Sequence, residues 1–339
     1  MKKRLFAMLS VVVVLCASCA SAPFTAISGF AAPHVLAARL SSGRLLYVRN
    51  GSIEELTTNG SQKLLAANPG NWTYMDPAFS PDGQQIAFVK REKNFSDIGV
   101  MNADGSNQIL LTHDQSNVIP DNLWAVSPTW SADGNHIAFA SDRGKDEATG
   151  SIDLRIWLLN LGTRGLVRLT TPFFQAGGDA NPQFRPGHPH QLVYAKWRYA
   201  PDGATTYAVL MLLDLRTGVE YALTPLDGAN FEPAWSPDGK VLAFVHRGTS
   251  TDDIVAATVP DSVTQNVVLK WSTLVSGGMN AEPCFSPNGR HLAYVGETSN
   301  NFALYQVGIT LGPTITVQGS PEQLVGTPVD AASRLSWAR

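Results

Sequence analysis

Cysteine is nearly missing from this sequence. Three occur in 339 residues, at positions 16, 19 and 284, so the body of the protein can build neither a disulfide framework nor a Cys-based zinc site. Charge is also sparse, at 16% Asp, Glu, Lys and Arg, and it has no basic surplus: 25 Lys and Arg stand against 28 Asp and Glu, a formal charge of -3. A broad nucleic-acid footprint needs such a surplus, so no nucleic-acid partner is expected. Long apolar runs are lacking. The run from Leu5 to Leu15 is eleven residues, well below the roughly 20 that a membrane-spanning helix needs. Neither H-E-x-x-H nor G-x-S-x-G occurs, which removes the helix-borne zinc pair and the nucleophile elbow. What is plentiful is apolar residues, at 44%, together with 29 Gly and 21 Pro. Such a chain can bury a sizeable core, and its many chain-bending residues favour short strands joined by turns over a helical bundle.

The start, MKKRLFAMLSVVVVLCASCAS, has a cationic tip at Lys2, Lys3 and Arg4, then the apolar run, then small residues. That is the layout of a secretory signal. Its removal takes three positive charges and leaves 22 basic against 28 acidic residues, a mildly acidic exported body. Cys16-Ala17-Ser18-Cys19 resembles the lipobox of bacterial lipoproteins, with Leu15 one place further back than the usual Leu. The resemblance implies a signal peptide over 1–18, acylation of Cys19, and a tether over 19–40 rich in Ala, Ser and Pro. Two or three acyl chains would hold the protein on a membrane by the lipid alone. Cleavage after Ala20 and an uncleaved anchor are the alternatives.

One phrase recurs. It reads PAFSPDGQQIAFV from Pro77, PTWSADGNHIAFA from Pro128, PQFRPGHPHQLVYA from Pro182, PAWSPDGKVLAFV from Pro233 and PCFSPNGRHLAYV from Pro283, at spacings of 51, 54, 51 and 50 residues. A further 52 residues lead to Leu335, where LSWAR supplies a first half, and the matching second half stands near the other end as SGRLLYVRN from Ser42. In each phrase an apolar strand runs into Pro-Asp-Gly, where Pro presets a negative φ and Gly accepts a positive one, and a second strand returns. Two more strands follow around a second turn, as in DIGVMN-ADGS-NQILLT from Asp97. Four antiparallel strands per roughly 50 residues make a propeller blade. The expected fold is therefore all-β: a six-bladed β-propeller over 41–339, closed by pairing its C-terminal strand with its N-terminal ones. Ser80, Asp82 and Gly83 read as structural punctuation.

At these residues the chain resembles the TolB-like propeller repeat, close to P-x-W/F-S-P-D-G-x-x-I/L-A-F. The resemblance covers nearly everything after residue 40. It also extends to the non-catalytic propellers of dipeptidyl-peptidase and prolyl-oligopeptidase relatives and to some lyases. TolB itself carries an N-terminal α/β domain, for which only about 20 residues are present between Cys19 and the first repeat strand, and the peptidases carry an α/β-hydrolase domain that does not follow here.

If the units surround a channel, residues just before each inner strand crowd its mouth. Those are Asp76, Ser127, Asn181, Glu232, Glu282 and Arg334, with Asp179, Asn230, Asn280 and Asp330 slightly upstream. The carboxylates and amides form an expected acidic funnel, and Asp76, Asp179, Asn181, Asn230, Glu232, Asn280, Glu282 and Asp330 are the candidate binding residues. The bland alternative is a solvated polar rim. A protein or peptide partner presenting basic groups suits that charge, and calcium is the cation such oxygens would hold. No cofactor, metal-ligand set or catalytic residue is assigned.

His188 and His190 sit in an expanded turn, without the further ligands zinc needs. Cys284 reads as a space-filling thiol. Phe79, Trp130, Phe184, Trp235, Phe285 and Trp337 share one repeat position and read as packing between units. Trp124 and Trp197, beside long connections, are candidate aromatic anchors. The expectation is an exported, lipid-anchored, monomeric and non-catalytic module that binds a protein or peptide of the bacterial cell envelope. A propeller-type lyase or hydrolase with acidic residues at the mouth, or a propeller gating a peptidase in trans, are the alternatives.

Overall fold

The computed structural model describes residues 39–339 except 146–152, 174–175, 200–205 and the single positions 227, 300, 313 and 327. The signal segment, Cys19 and most of the tether lie outside the described residues, as do parts of the long connections at 142–151 and 198–206.

Each repeat phrase opens a four-stranded antiparallel unit. Unit one comprises Thr73–Phe79, Gln85–Arg91, Ser96–Asn102 and Ile109–Leu110. Unit two comprises Ala125–Trp130, His136–Ser141, Arg155–Asn160 and Leu166–Arg168. Unit three runs from Asp179–Phe184 to Val219–Ala222 and unit four from Ala229–Trp235 to Trp271–Val275, joined into one sheet by a parallel bridge between Ala208 and Ala229. Unit five runs from Asn280–Phe285 to Thr316–Val325. The remaining sheet is split: Ser336–Ala338 pairs with Arg44–Arg49, which continues to Ser52–Thr57 and Gln62–Ala66.

The second strand of each unit explains the I/L-A-F/Y-V part of the phrase. Side chains alternate across a strand, and here both faces are buried. In unit one, Ile86 and Phe88 pack with Leu46 and Val48 of the split sheet, while Ala87 and Val89 pack with Ile137 and Phe139 of unit two. The pattern repeats: Leu292 and Tyr294 face unit four, whereas Ala293 and Val295 face the split sheet. Larger side chains thus point to the preceding unit and smaller ones to the next. Six such clusters link successive units, including unit five to the split sheet and the split sheet to unit one.

The shared aromatic position falls in these seams. Trp130, Phe184, Trp235, Phe285 and Trp337 are buried and Phe79 is partly so. Trp130 Nε1 donates to Ala78 O of the preceding unit at 3.0 Å. The Pro-Asp-Gly turns consume their own polar groups. Ser80 Oγ donates to Asp82 Oδ1 at 2.6 Å and accepts the Gln85 N–H at 2.9 Å, and Gly83 takes φ 69°. Ser236 and Asp238 repeat the arrangement.

Unit three departs from it, with Arg185 in place of the serine. This is a fully buried arginine. Its Nε donates to Gly239 O at 2.7 Å and its Nη1 to Pro260 O at 3.0 Å and Gln191 Oε1 at 2.9 Å. Nη2 reaches Val259 O at 3.2 Å, and the guanidinium lies 4.9 Å from the Trp235 ring centre. One side chain therefore ties unit three to three carbonyls of unit four.

Candidate functional site

The residue before the phrase's proline holds the same unusual conformation in five units. Asp76, Ser127, Asn181, Glu232 and Glu282 have φ of 49°, 54°, 52°, 51° and 52°. Such values are uncommon for residues with a Cβ and cost about 1–2 kcal/mol each. Each coincides with a register shift in the inner strand, for example between Met75 and Ala78 and between Ala281 and Cys284. The following proline has no N–H for the ladder, so a bulge forms and turns the preceding residue out of line.

That turn points the backbone N–H at the neighbouring unit. Ser127 N–H donates to Asp76 Oδ2 at 2.9 Å, and Arg334 N–H to Asp76 Oδ1 at 3.1 Å. Glu282 N–H donates to Glu232 Oε2 at 2.8 Å, and Asp76 N–H to Ser333 Oγ at 2.8 Å. The strained residues are stitched to one another. Arg334 extends further: its Nη1 donates to Pro128 O at 3.2 Å and Pro182 O at 3.3 Å, crossing from the split sheet to units two and three. The inner strands of these units therefore converge on a common centre.

The eight candidate residues sort into three groups. Asp76, Asn181, Glu232 and Glu282 form the bulge ring. Asp179, Asn230 and Asn280, two residues upstream, face seams between units: Asn230 Nδ2 donates to Ala208 O at 3.5 Å, and Asn280 Nδ2 donates to Asp252 O at 3.0 Å. Asp330 serves the turn after the second strand of the split sheet, accepting the Gly51 N–H at 2.9 Å and the Asn50 N–H at 3.3 Å.

Burial pushes the Glu282 carboxyl well above the usual range, and the charge of Glu232 adds to that push. Burial also raises Glu232, against the Glu282 N–H and the Arg247 and Arg334 charges that pull it down. Arg334, buried at the same centre, is the nearby cation that both carboxyls feel. The funnel expected from the sequence is thus a ring in which Asp76 and Glu232 accept backbone amides and one guanidinium offsets the charge. Among the described residues no three His, Cys, Asp or Glu side chains are grouped to hold a metal ion.

Cys284 lies beside this ring, and burial pushes its thiol up to about 12. Only a thiolate is nucleophilic. At pH 8 it is expected to react about a thousandfold more slowly with a maleimide than an unperturbed thiol, which a stopped-time labelling series read by mass spectrometry measures. Burial and Arg185 together hold the His188 imidazole below its ordinary value, and its backbone N–H caps the turn by donating to Arg185 O at 3.1 Å.

At the other end of the units, where second strands finish and first strands begin, cations stack on aromatics. Lys90 lies 5.2 Å from the Trp72 ring centre, Arg91 5.8 Å from Trp124 and Arg198 4.7 Å from Phe173. Lys90 also pairs with Glu92 at 2.7 Å, whereas Arg91 and Arg198 make no ion pair among the described residues. Trp197 packs inward with Phe231 at 5.7 Å. Trp124 is therefore placed at the rim and Trp197 in a seam.

The fold built from these units recurs in known proteins. TolB from Acinetobacter baumannii superposes with a TM-score of 0.65 at 20% identity, covering 87% of this chain and 66% of that one. The chain has a TolB-like β-propeller fold. In sequence, it is 29% identical over 168 residues to a TolB homolog of Chlorobium chlorochromatii, 48% of this chain and 31% of that one. It is 30% identical over 210 residues to the uncharacterized peptidase YuxL of Bacillus subtilis, 61% of this chain and 26% of that one. The chain thus spans about a quarter to a third of the length of these curated relatives, and no family model matches it.

Arg334 stands at the repeat position just before the phrase, outside the set of expected binding residues. Its signal was a lone basic residue where other units carry acids or amides. Arg185 was missed although it stands where the phrase has serine.

Proposed function

We propose that the chain is an exported, lipid-anchored and non-catalytic module of the bacterial cell envelope, a single six-bladed ring that binds a protein or peptide at the mouth of its channel. Six packed seams in cyclic order and the pairing of 44–46 with 336–338 support one closed ring. Likeness to TolB proteins and the signal-like N-terminus support the envelope location.

The observation that carries the binding role is the rim. The inner carboxylates of Asp76 and Glu232 already accept amides, while Arg91 on Trp124 and Arg198 on Phe173 offer cation-plus-aromatic surfaces with no carboxylate partner among the described residues. A rigid frame with such groups on its loops is suited to recognition. The immobilised protein is expected to capture an envelope protein at moderate salt, and a Trp124→Ala/Arg91→Ala variant to capture at least tenfold less. Equal capture by both sinks the rim as the site. For the anchor, Cys19→Ser is expected to move the protein from the membrane to the soluble fraction.

Identity to an uncharacterized peptidase favours a second reading, in which the propeller serves a peptidase in trans. A peptidase recovered in the same capture would select it.

A further inference from the structure

At the seams between units, a polar side chain stitches the first strand of one unit to the third strand of the unit before. Between units one and two it is Ser96, whose Oγ donates to Ala125 O at 2.7 Å and accepts the Ala125 N–H at 2.9 Å. Between units three and four, Asn230 Nδ2 donates to Ala208 O at 3.5 Å, and between four and five, Asn280 Nδ2 donates to Asp252 O at 3.0 Å. The seam between units two and three has the same backbone frame. Its parallel bridge, Leu154 to Gly178, matches Ala208 to Ala229 and Asp252 to Met279. The residue after the bridge is Asn230 and Asn280 in the later units, and here it is Asp179.

Asp179 is fully buried, and neither carboxyl oxygen has a hydrogen-bond partner among the described residues. An ionised carboxylate can only accept, whereas an amide or a carboxylic acid can donate. The equivalent acceptor is Leu154 O, which already takes the Asp179 N–H at 2.9 Å and has a second lone pair. We propose that Asp179 is a proton-dependent latch: as the acid it donates across the seam as Asn230 and Asn280 do, and as the carboxylate it leaves units two and three unlatched.

The groups facing it agree with this. Lys196 is its strand partner, but Lys196 Nζ is held by Glu220 at 2.7 Å and lies 3.4 Å from Tyr194 Oη. Arg155, heading the third strand of unit two, donates to Asp153 O at 2.8 Å, and Asp153 in turn accepts the Gly177 N–H at 3.2 Å. The Thr170 hydroxyl accepts the Ile156 N–H at 3.0 Å and stands close to the carboxyl without hydrogen-bond geometry to it. Burial outweighs the downward pull of Thr170, Lys196 and Arg155, Glu220 adds an upward push, and the carboxyl rises to about 7. With the folded value raised, stability is highest below the ordinary carboxyl range and falls as pH climbs toward 7.

The test compares wild type with Asp179→Asn, which carries the amide of its equivalents. The expected result is a variant midpoint about 5 °C above wild type at pH 8.5, with the gap about halved at pH 5.5 and closed at about pH 4. Amide hydrogen exchange in wild type supplies a measurement independent of the variant's folding. After correction for intrinsic rates, the amides of Asp179 and Leu154, which bond across the seam, are expected to open more often at pH 8.5 than at pH 5.5. A variant gap of the same size at both pH values, a less stable variant at pH 8.5, or seam exchange indifferent to pH would overturn the latch.

Discussion

Replacing Arg185 with Met is expected to destabilise the protein by about 3–5 kcal/mol and to lower its thermal midpoint by about 8 °C. Met keeps most of the volume, so the loss does not come from a cavity. It comes from three backbone carbonyls, Gly239, Val259 and Pro260, which lose their donor in a buried seam. Each orphaned polar group there costs about 1–3 kcal/mol. Arg185→Lys is expected to recover little, because an ammonium has no planar fork to reach carbonyls on two segments of unit four at once. Urea unfolding of the three proteins measures both effects. A Met variant within 1 kcal/mol of wild type would mean that the guanidinium's burial cost cancels its bonds.

The second large effect concerns the point where the bulged inner strands converge. Arg334→Ala is expected to cost about 3 kcal/mol at pH 8, and much less at pH 5. Glu232 and Glu282 have folded pKa values raised by burial, so ionising them works against the fold as pH rises. Arg334 opposes that trend. Without it both carboxyls hold protons to still higher pH, and stability falls more steeply between pH 5 and pH 8. Glu232 is only partly buried and solvent screens its share, so Glu282 carries most of the effect. The double variant Arg334→Ala/Glu282→Gln is therefore expected to regain most of the stability lost at pH 8. A pH-independent penalty would show that the bonds to Pro128 O and Pro182 O matter and the charge does not.

The units themselves were legible because each is a local object. Ile86-Ala87-Phe88-Val89 states which face is large and which is small, and Ser80 with Asp82 closes its own turn within five residues. The convergence of Asp76, Glu232 and Glu282 followed from the repeat as well. What they do when they converge did not follow. The expected acidic funnel assumed side chains pointing freely into a channel, and the left-handed bulge instead brings the next unit's N–H within reach of the carboxylate. Asp330 is expected at the mouth by position, and there its carboxylate is taken up by the Asn50-Gly51 turn some 280 residues away. Arg185 reads as a broken phrase until unit four is laid beside it. In each case the deciding partner is remote in sequence and close in space.

The split sheet has a kinetic consequence. Hairpins within units one to five join neighbouring segments of the chain, so each can form as soon as its own segment is free. The pairing of Leu45 with Trp337 instead spans almost the whole described chain, and closing so long a loop costs roughly 5 kcal/mol of chain entropy, by logarithmic scaling. That contact is rewarded only after the seams on either side of it have assembled. Until then the edge of Arg44–Arg49 remains open, a template for any strand that arrives first. A chain delivered gradually through a membrane would spend that interval in the state most exposed to mispairing, and the last few residues to emerge would end it.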